Sequence, residues 1–168
     1  MLSIKPGKIQ RGISLLEVLI SLLILSLGAL GFAGLQLKGL KTTEDANYRA
    51  QATLIAQDAI ERILANPSAM ESYLTANSYS AGTAGSTPPS ACVSGPCSAG
   101  AMATQDKAHI SWTAANSLPG GRAMATECFG STQCVVVSWN GMDPASCITN
   151  NAINTDEDST CLVLEVIR

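Results

Sequence analysis

The chain has 168 residues, a formal net charge of −3 and only 4% aromatic residues. This charge argues against a general nucleic-acid binder, which needs a basic face, and so few aromatic side chains argue against stacking on bases. The length fits one domain together with an anchor segment.

The N-terminal part of the chain is basic at first and then strongly apolar. No charged residue occurs between Val18 and Leu37, a run of about the 20 apolar residues with which an α-helix crosses a bilayer. One carboxylate, Glu17, stands directly before this run, five residues after Gly12. A charge at the end of a spanning helix calls for a partner, and the chain offers no nearby cation after it. The cations before Gly12 are Lys5, Lys8 and Arg11.

The residues around Gly12 form a specific motif. The three cations and Gly12 are followed by Ile13-Ser14-Leu15-Leu16-Glu17-Val18-Leu19-Ile20. This segment resembles the N-terminus of a type IV prepilin, although that family usually has Phe where Ile13 stands. The resemblance implies that a membrane peptidase cuts between Gly12 and Ile13 and that the new amine of Ile13 is methylated. It also implies that Glu17 guides assembly by pairing with the terminal amine of a neighbouring subunit.

Two other interpretations of this segment compete with the prepilin resemblance. In the first, Glu17 lies near the end of a plain anchor helix and reaches the lipid headgroups. In the second, the segment is a secretory signal, whose apolar region has 7–15 residues and ends in a small-residue cleavage site. Here the apolar run is longer, Glu17 interrupts its start, and the small residue Gly12 precedes it.

The charges around the apolar run predict its orientation. The leader cations precede it, whereas Lys38 and Lys41 after it are offset by Glu44 and Asp45. The positive-inside rule therefore predicts a single pass with a cytoplasmic N-terminus and a periplasmic C-terminal part. The resemblance implies a bacterial inner membrane and, after assembly, a pilus fibre at the cell surface. Removal of residues 1–12 would change the net charge from −3 to −6.

A long helix is predicted from about Ile13 to Ala65, because no proline occurs between Pro6 and Pro67. We expect a leader at 1–12, a membrane and assembly half of the helix at 13–37, an amphipathic half at 38–66, and a periplasmic domain at 67–168. Asp58 and Arg62 form a predicted ion pair on the amphipathic half. Its apolar stripe consists of Tyr48, Ala52, Ile55, Ala56, Ala59 and Ile63.

The periplasmic domain begins with a segment that lacks clear periodicity. Residues 75–105 are rich in Ala, Ser, Gly and Thr, which predicts a long surface loop. Residues 106–118 are compatible with a short helix that has Asp106 near its N-cap, or with a strand.

Three runs of strand-forming residues follow, at 122–129, 133–140 and 160–167. A hairpin at 130–132 joins the first two, and a looped insert at 141–159 joins the last two. The predicted fold class is α+β and type IV pilin-like: a long N-terminal helix, membrane-spanning in its first half, packed on a small antiparallel sheet with disulfides. Residues 106–121, 135–139 and the final strand also resemble the minor-pilin branch called the type IV pilus modification protein, PilV.

All six cysteines lie beyond the apolar run, which predicts an oxidising compartment. Six cysteines permit 15 pairings. Their spacing favours local pairs, namely Cys92 with Cys97, Cys128 with Cys134, and Cys147 with Cys161. A zinc site is the competing interpretation, but closely spaced Cys-x-x-Cys pairs are absent and His109 is the only histidine.

The remaining polar residues suggest little chemistry. Asn154, Asp156 and Asp158 have the spacing of a calcium loop, but Ser159 replaces its glycine and Glu165 falls in a predicted strand, so calcium is a weak candidate. No nucleophile elbow, phosphate loop or histidine-centred triad occurs. We therefore expect neither an enzyme nor a cofactor.

The predicted function is that of a minor type IV pilin, a structural subunit that helps to prime, assemble or modify the pilus fibre, with consequences for adhesion and twitching motility. The alternative is a minor pseudopilin of a type II secretion system. An anchored periplasmic enzyme or a plain anchored binding module are further possibilities. The partners implied by the resemblance are other major and minor pilins, the prepilin peptidase and methylase, and the inner-membrane assembly machinery.

Overall fold

The computed structural model describes residue 12 and residues 14–75, 79–92, 94–149, 152–156 and 158–166. It divides into two units, Met1–Glu44 and Asp45–Arg168. The helices are α1 (Leu15–Ala65), α2 (Met70–Leu74), which follows a 3-10 turn at Pro67–Ala69, and α3 (Ala99–Ser117). The strands are β1 (Arg122–Glu127), β2 (Gln133–Ser138), β3 (Ile148–Thr149), β4 (Ala152–Ile153) and β5 (Cys161–Val166).

The first unit contains the apolar part of α1. Within the described residues, α1 is the one helix long and apolar enough to cross a membrane, with a mean hydropathy of 2.4 over its most apolar window and no residue of that window buried. Its few hydroxyl groups are satisfied internally: Ser21 donates to the Glu17 carbonyl at 2.7 Å and Ser26 to the Leu23 carbonyl at 2.8 Å. Such internal bonding leaves an apolar exterior compatible with lipid.

In the second unit, α1 buries the predicted stripe. Three of its alanines are at most 1% exposed, and these small side chains let the helix approach its neighbours closely. The same core contains Ile110 of α3, Val135 and Val137 of β2, and the fully buried Trp139. The prediction of one apolar stripe on this half is confirmed by its buried residues, Ala52, Ile55, Ala56, Ala59 and Ile63.

Arg49 of α1 links the helix to the end of the sheet. Its guanidinium lies 5.4 Å from the centre of the Trp139 ring, donates to the Ser159 carbonyl at 3.3 Å and pairs with Asp45 at 2.8 Å. The guanidinium therefore lies over the ring of a buried indole, while the carbonyl and the carboxylate each accept one of its N–H groups.

The three-stranded sheet is antiparallel, with β2 between β1 and β5. Val135 and Val137 of β2 face the helices, whereas Val136 faces the other side, where it packs near Cys147 and Cys161. A central strand buried on both faces loses the alternation of polar and apolar residues, which explains the unbroken Val-Val-Val run. The three predicted strand runs and the pilin-like helix on an antiparallel sheet are confirmed.

The prediction for the segment before the sheet was wrong in part. Helix α3 begins at Ala99, inside the predicted loop, and the Ser98 hydroxyl caps it by accepting the Ala101 N–H at 3.3 Å. Asp106 lies in the middle of this helix and not at its N-cap. The Ala-Gly-Ala-Met-Ala run resembles a loop by composition, but alanine is the strongest helix former, and Ser98 supplies the missing start signal. Helix α2 lies in residues 67–74, where the sequence predicts no particular element, and the β3–β4 hairpin lies within the predicted looped insert.

Side chains of α3 hold the irregular segment 79–92. Gln105 accepts from the Ala91 N–H at 3.0 Å and donates to the Pro89 carbonyl at 2.7 Å. The Trp112 indole donates to the Ser86 carbonyl at 2.8 Å. A loop has no neighbouring strand to which its backbone groups can bond, and these side chains bond to them instead. The segment therefore has a defined conformation without regular secondary structure.

Candidate functional site

The predicted processing site lies directly before α1. Gly12 is exposed and non-helical, Ile13 lies outside the described residues, and the helix begins at Leu15. The Ser14 carbonyl accepts from two N–H groups of the first helical turn, that of Glu17 at 3.0 Å and that of Val18 at 3.3 Å. The structure therefore places Gly12 in exposed chain before the helix, where a peptidase can reach the backbone.

Glu17 lies in the first turn of α1 and is surrounded in sequence by apolar residues. A carboxylate in this position interacts favourably with the unpaired N–H groups at the start of a helix. Among the described residues Glu17 forms no ion pair.

The second unit contains three disulfides, which join all six cysteines. They are Cys92–Cys97, Cys128–Cys134 and Cys147–Cys161, with Cα–Cα distances of 5.8, 5.9 and 5.7 Å. This is the pairing that the spacing favours. The first closes the loop before α3, the second closes the β1–β2 connection, and the third ties the insert to the start of β5.

A buried polar network lies between α1, α2 and α3. The Asp106 carboxylate, on a residue 5% exposed, accepts from the Arg62 guanidinium at 3.0 Å and from the hydroxyl of the fully buried Tyr73. Arg62 also pairs with Asp58 at 2.8 Å, which is the predicted pair. Asn66 donates to the Tyr73 hydroxyl at 3.3 Å. Each polar group in this network has a partner, as burial demands.

Sequence reasoning missed this network, although a signal for it was present. Asp106 follows Ala103 by three residues and precedes Ile110 by four, a spacing that puts all three on one helix face. Both neighbours are buried in the core. A carboxylate on that face must have a cationic or hydroxyl partner, but the partners come from residues 33 to 44 positions away, which spacing alone cannot identify.

The network shifts the pKa values of its members. Burial and the hydrogen bond to Asp106 raise the pKa of Tyr73 to about 12. Burial lowers the pKa of Arg62, but its bonds to Asp58 and Asp106 outweigh this effect, and the net shift is upward. Beside the network, burial lowers the pKa of Lys107, whose ammonium donates to the Ser72 carbonyl at 2.8 Å.

The raised pKa of Tyr73 predicts a loss of stability at alkaline pH. The folded state holds the neutral phenol, so this contribution is complete below the unfolded pKa of 10.0 and is lost as the pH rises to about 12. Unfolding of the second unit, followed by near-ultraviolet circular dichroism across this range, should show the decline. Tyr73→Phe should flatten it in part, since the pKa of Tyr79 is also raised by burial. A decline of equal size in Tyr73→Phe would contradict the assignment.

The calcium candidates lie in the insert. The Asn154 side-chain oxygen accepts the Asp156 N–H at 2.9 Å, so it serves the turn itself. Asp156 and Asp158 are exposed, and Glu165 lies in β5 opposite Cys134. Within the described part of the chain no group of three His, Cys, Asp or Glu side chains is placed to hold a metal ion.

His109 lies on a groove of about 620 Å³ beside α1 and α3. Its ring centre is 5.9 Å from that of Trp112, and its Nδ1 lies 3.5 Å from the Thr113 hydroxyl, which donates to the His109 carbonyl at 2.9 Å. These contacts account for the histidine as part of the helix surface.

Two family models match the chain. The prokaryotic N-terminal methylation motif matches residues 7–33, which include Gly12, Ile13 and Glu17. The type IV pilin Tt1218 model matches residues 34–108, the rest of α1 and the chain into α3. The two matches support a type IV pilin. No curated protein and no solved structure matches the chain.

The pilin matches and the fold agree, since a long N-terminal apolar helix packed on a small antiparallel sheet is consistent with the type IV pilin fold. The family is structural and not catalytic. The methylation motif and the apolar helix suggest membrane anchoring. Strands β1, β2 and β5 lie beyond residue 108, outside both matches, so the matches do not describe the three-stranded sheet of this chain.

Proposed function

We propose that this pilin is a minor subunit of a type IV pilus, of the branch that modifies, primes or helps to assemble the fibre. The observation that carries the proposal is the methylation-motif match across Gly12, Ile13 and Glu17, followed by one unbroken helix from Leu15 to Ala65. The assembled fibre would act in adhesion and twitching motility.

The proposed processing uses the residues in front of α1. Prepilin peptidase cuts between Gly12 and Ile13, and the new amine of Ile13 is methylated. Glu17 then pairs with the terminal amine of a neighbouring subunit. An unpaired carboxylate in a membrane helix is energetically costly, so pairing of Glu17 within a fibre would reduce that cost.

The environment of each unit supports the proposed location. The apolar part of α1 exposes side chains such as Leu25, Leu30 and Leu35, which are 68–73% exposed and require lipid or the helices of other pilins around them. The three disulfides of the second unit suit an oxidising periplasm. The partners would be major and minor pilins in the inner membrane and the assembly machinery there.

The second candidate is a minor pseudopilin of a type II secretion system. It is favoured by the same observation, because the chemistry of Gly12 and Glu17 serves both assemblies. The disulfide-rich second unit inclines us to the pilus. Shearing of surface fibres from cells separates the two: a pilus subunit appears in the sheared fraction, whereas a pseudopilin stays with the envelope.

The first test is intact-mass spectrometry of the protein extracted from the membranes of cells with an active prepilin peptidase. We expect the mass of residues 13–168 with one added methyl group. Gly12→Val should abolish both changes and return the full-length mass, because the bulky side chain occupies the cleavage position.

The matched control is Gly7→Val, which changes a glycine within the same leader away from the cleavage position. It should be processed like the wild type. A full-length mass for the wild-type protein in these cells would refute the proposal. Glu17 would then be an interfacial charge, and an anchored enzyme or an anchored binding module would be the remaining hypotheses.

A further inference from the structure

The two edges of the three-stranded sheet differ in their exposure. The backbone N–H of Trp139 donates to the Thr160 carbonyl at 3.0 Å, so these two residues form a hydrogen-bonded pair at the end of the β2–β5 ladder. The next pair along the ladder is Ser138 with Cys161. In an antiparallel ladder hydrogen-bonded and non-hydrogen-bonded pairs alternate. Leu162, Leu164 and Val166 therefore direct their backbone groups towards β2.

The backbone groups of the alternate β5 residues point away from the sheet. These residues are Cys161, Val163 and Glu165, and Cys161 is buried beside its disulfide partner. Val163 is half-buried and Glu165 is exposed. Within the described residues, neither receives a backbone hydrogen bond from outside the β2–β5 ladder.

The β1 edge is different. The Cys128 N–H donates to the Thr132 carbonyl at 2.7 Å, so these two residues form a hydrogen-bonded pair of the β1–β2 ladder. Because hydrogen-bonded and non-hydrogen-bonded pairs alternate from there, the backbone groups of Ala123 and Ala125 point away from β2. These residues are only 5% and 1% exposed, since α2 and α3 pack against this strand. Among the residues that the structure describes, one edge of the sheet is thus covered by the chain itself, and the other is open from Val163 to Glu165.

We propose that the β5 edge binds an extended segment of a second protein chain, which adds a fourth strand to the sheet. The N–H and C=O groups of Val163 and Glu165 alternate along one line, and an extended polypeptide backbone is the ligand with the matching alternation. This inference does not rest on the proposed function, because the open edge follows from the sheet alone.

The side chains beside the edge define the chemistry of that segment. Glu165 forms no ion pair within the described residues, so a lysine or arginine of the added strand would complement it. Leu162 and Leu164 are partly exposed on the helix side of the sheet, and Val163 on the other. Apolar residues on the added strand would extend both faces. The occupant is therefore an extended, basic segment with apolar side chains.

The test uses the full-length protein in detergent micelles and a short synthetic peptide that alternates valine with lysine and threonine. In the protein alone, the Val163 and Glu165 amides should exchange with deuterium quickly, whereas those of Leu162 and Leu164 exchange slowly. Peptide should protect the first pair. A counterpart peptide with glutamate in place of lysine should bind at least about tenfold more weakly.

The matched variants are Val163→Pro and Val163→Thr. Proline at 163 removes an N–H that points outward and spares the ladder with β2, as proline does on edge strands. We expect Val163→Pro to fold and to bind the lysine peptide at least about tenfold more weakly, while Val163→Thr binds it like the wild type.

Three results would overturn the proposal. The first is slow exchange of the Val163 and Glu165 amides in the protein alone, which needs no variant and would show a covered edge. The second is equal binding of both peptides. The third is a dimer of the protein alone that Val163→Pro dissociates, since the occupant would then be a second copy of this chain.

Discussion

Replacement of Gly121 by alanine is expected to destabilise the second unit by about 2–4 kcal/mol. A Cβ atom at this position would overlap the Ala114 carbonyl oxygen and would lie 2.8 Å from the Leu118 Cβ atom. Neither neighbour can move freely, since Ala114 and Leu118 belong to the core and the Ala114 carbonyl accepts the Leu118 N–H at 3.0 Å. The end of α3 or the start of β1 must shift.

The control for Gly121→Ala is Gly100→Ala. Gly100 lies in the first turn of α3, and an added Cβ would meet nothing within 4 Å. Alanine there should be neutral or stabilise by up to about 1 kcal/mol. Thermal unfolding followed by near-ultraviolet circular dichroism reports on Trp112 and Trp139 and so on the second unit. Similar midpoints for the two variants would refute the argument from close contact.

Removal of the Asp106 carboxylate should cost about 2–4 kcal/mol of unfolding free energy, measured by the same signal. Asp106→Ala leaves the buried Tyr73 hydroxyl without its acceptor and Arg62 with one carboxylate in place of two. We expect a value below that of a fully buried pair, because the Arg62 side chain is 32% exposed and retains Asp58.

Asp106→Asn is the matched control, because an amide keeps the volume and one acceptor oxygen for Tyr73 or Arg62. Asp106→Asn should lose less unfolding free energy than Asp106→Ala. The double variant Asp106→Ala with Tyr73→Phe should lose less unfolding free energy than the sum of the two single losses, because the two side chains share one hydrogen bond. Strict additivity would show that the hydrogen bond with Tyr73 does not account for the effect of Asp106 on stability.

The structural features that the sequence predicted correctly all depend on short-range patterns of residues. The long helix follows from uninterrupted helix-compatible sequence, and its buried stripe from apolar residues three and four positions apart. Strand β2 was indicated by its run of valines, and β5 by an apolar run of leucine and valine. Cys128 and Cys134 flank a predicted hairpin, so closeness in sequence was already closeness in space.

The sequence by itself determined the elements whose signals lie within a few residues: the apolar helix with Glu17 in its first turn, its buried stripe, and the main strands. Only the tertiary structure decided which distant groups meet. Asp106 finds Arg62 and Tyr73, and β2 separates β1 from β5, because the core packs three helices on one face of a small sheet. Contacts of this kind depend on the packing of whole elements, and no local spacing encodes them.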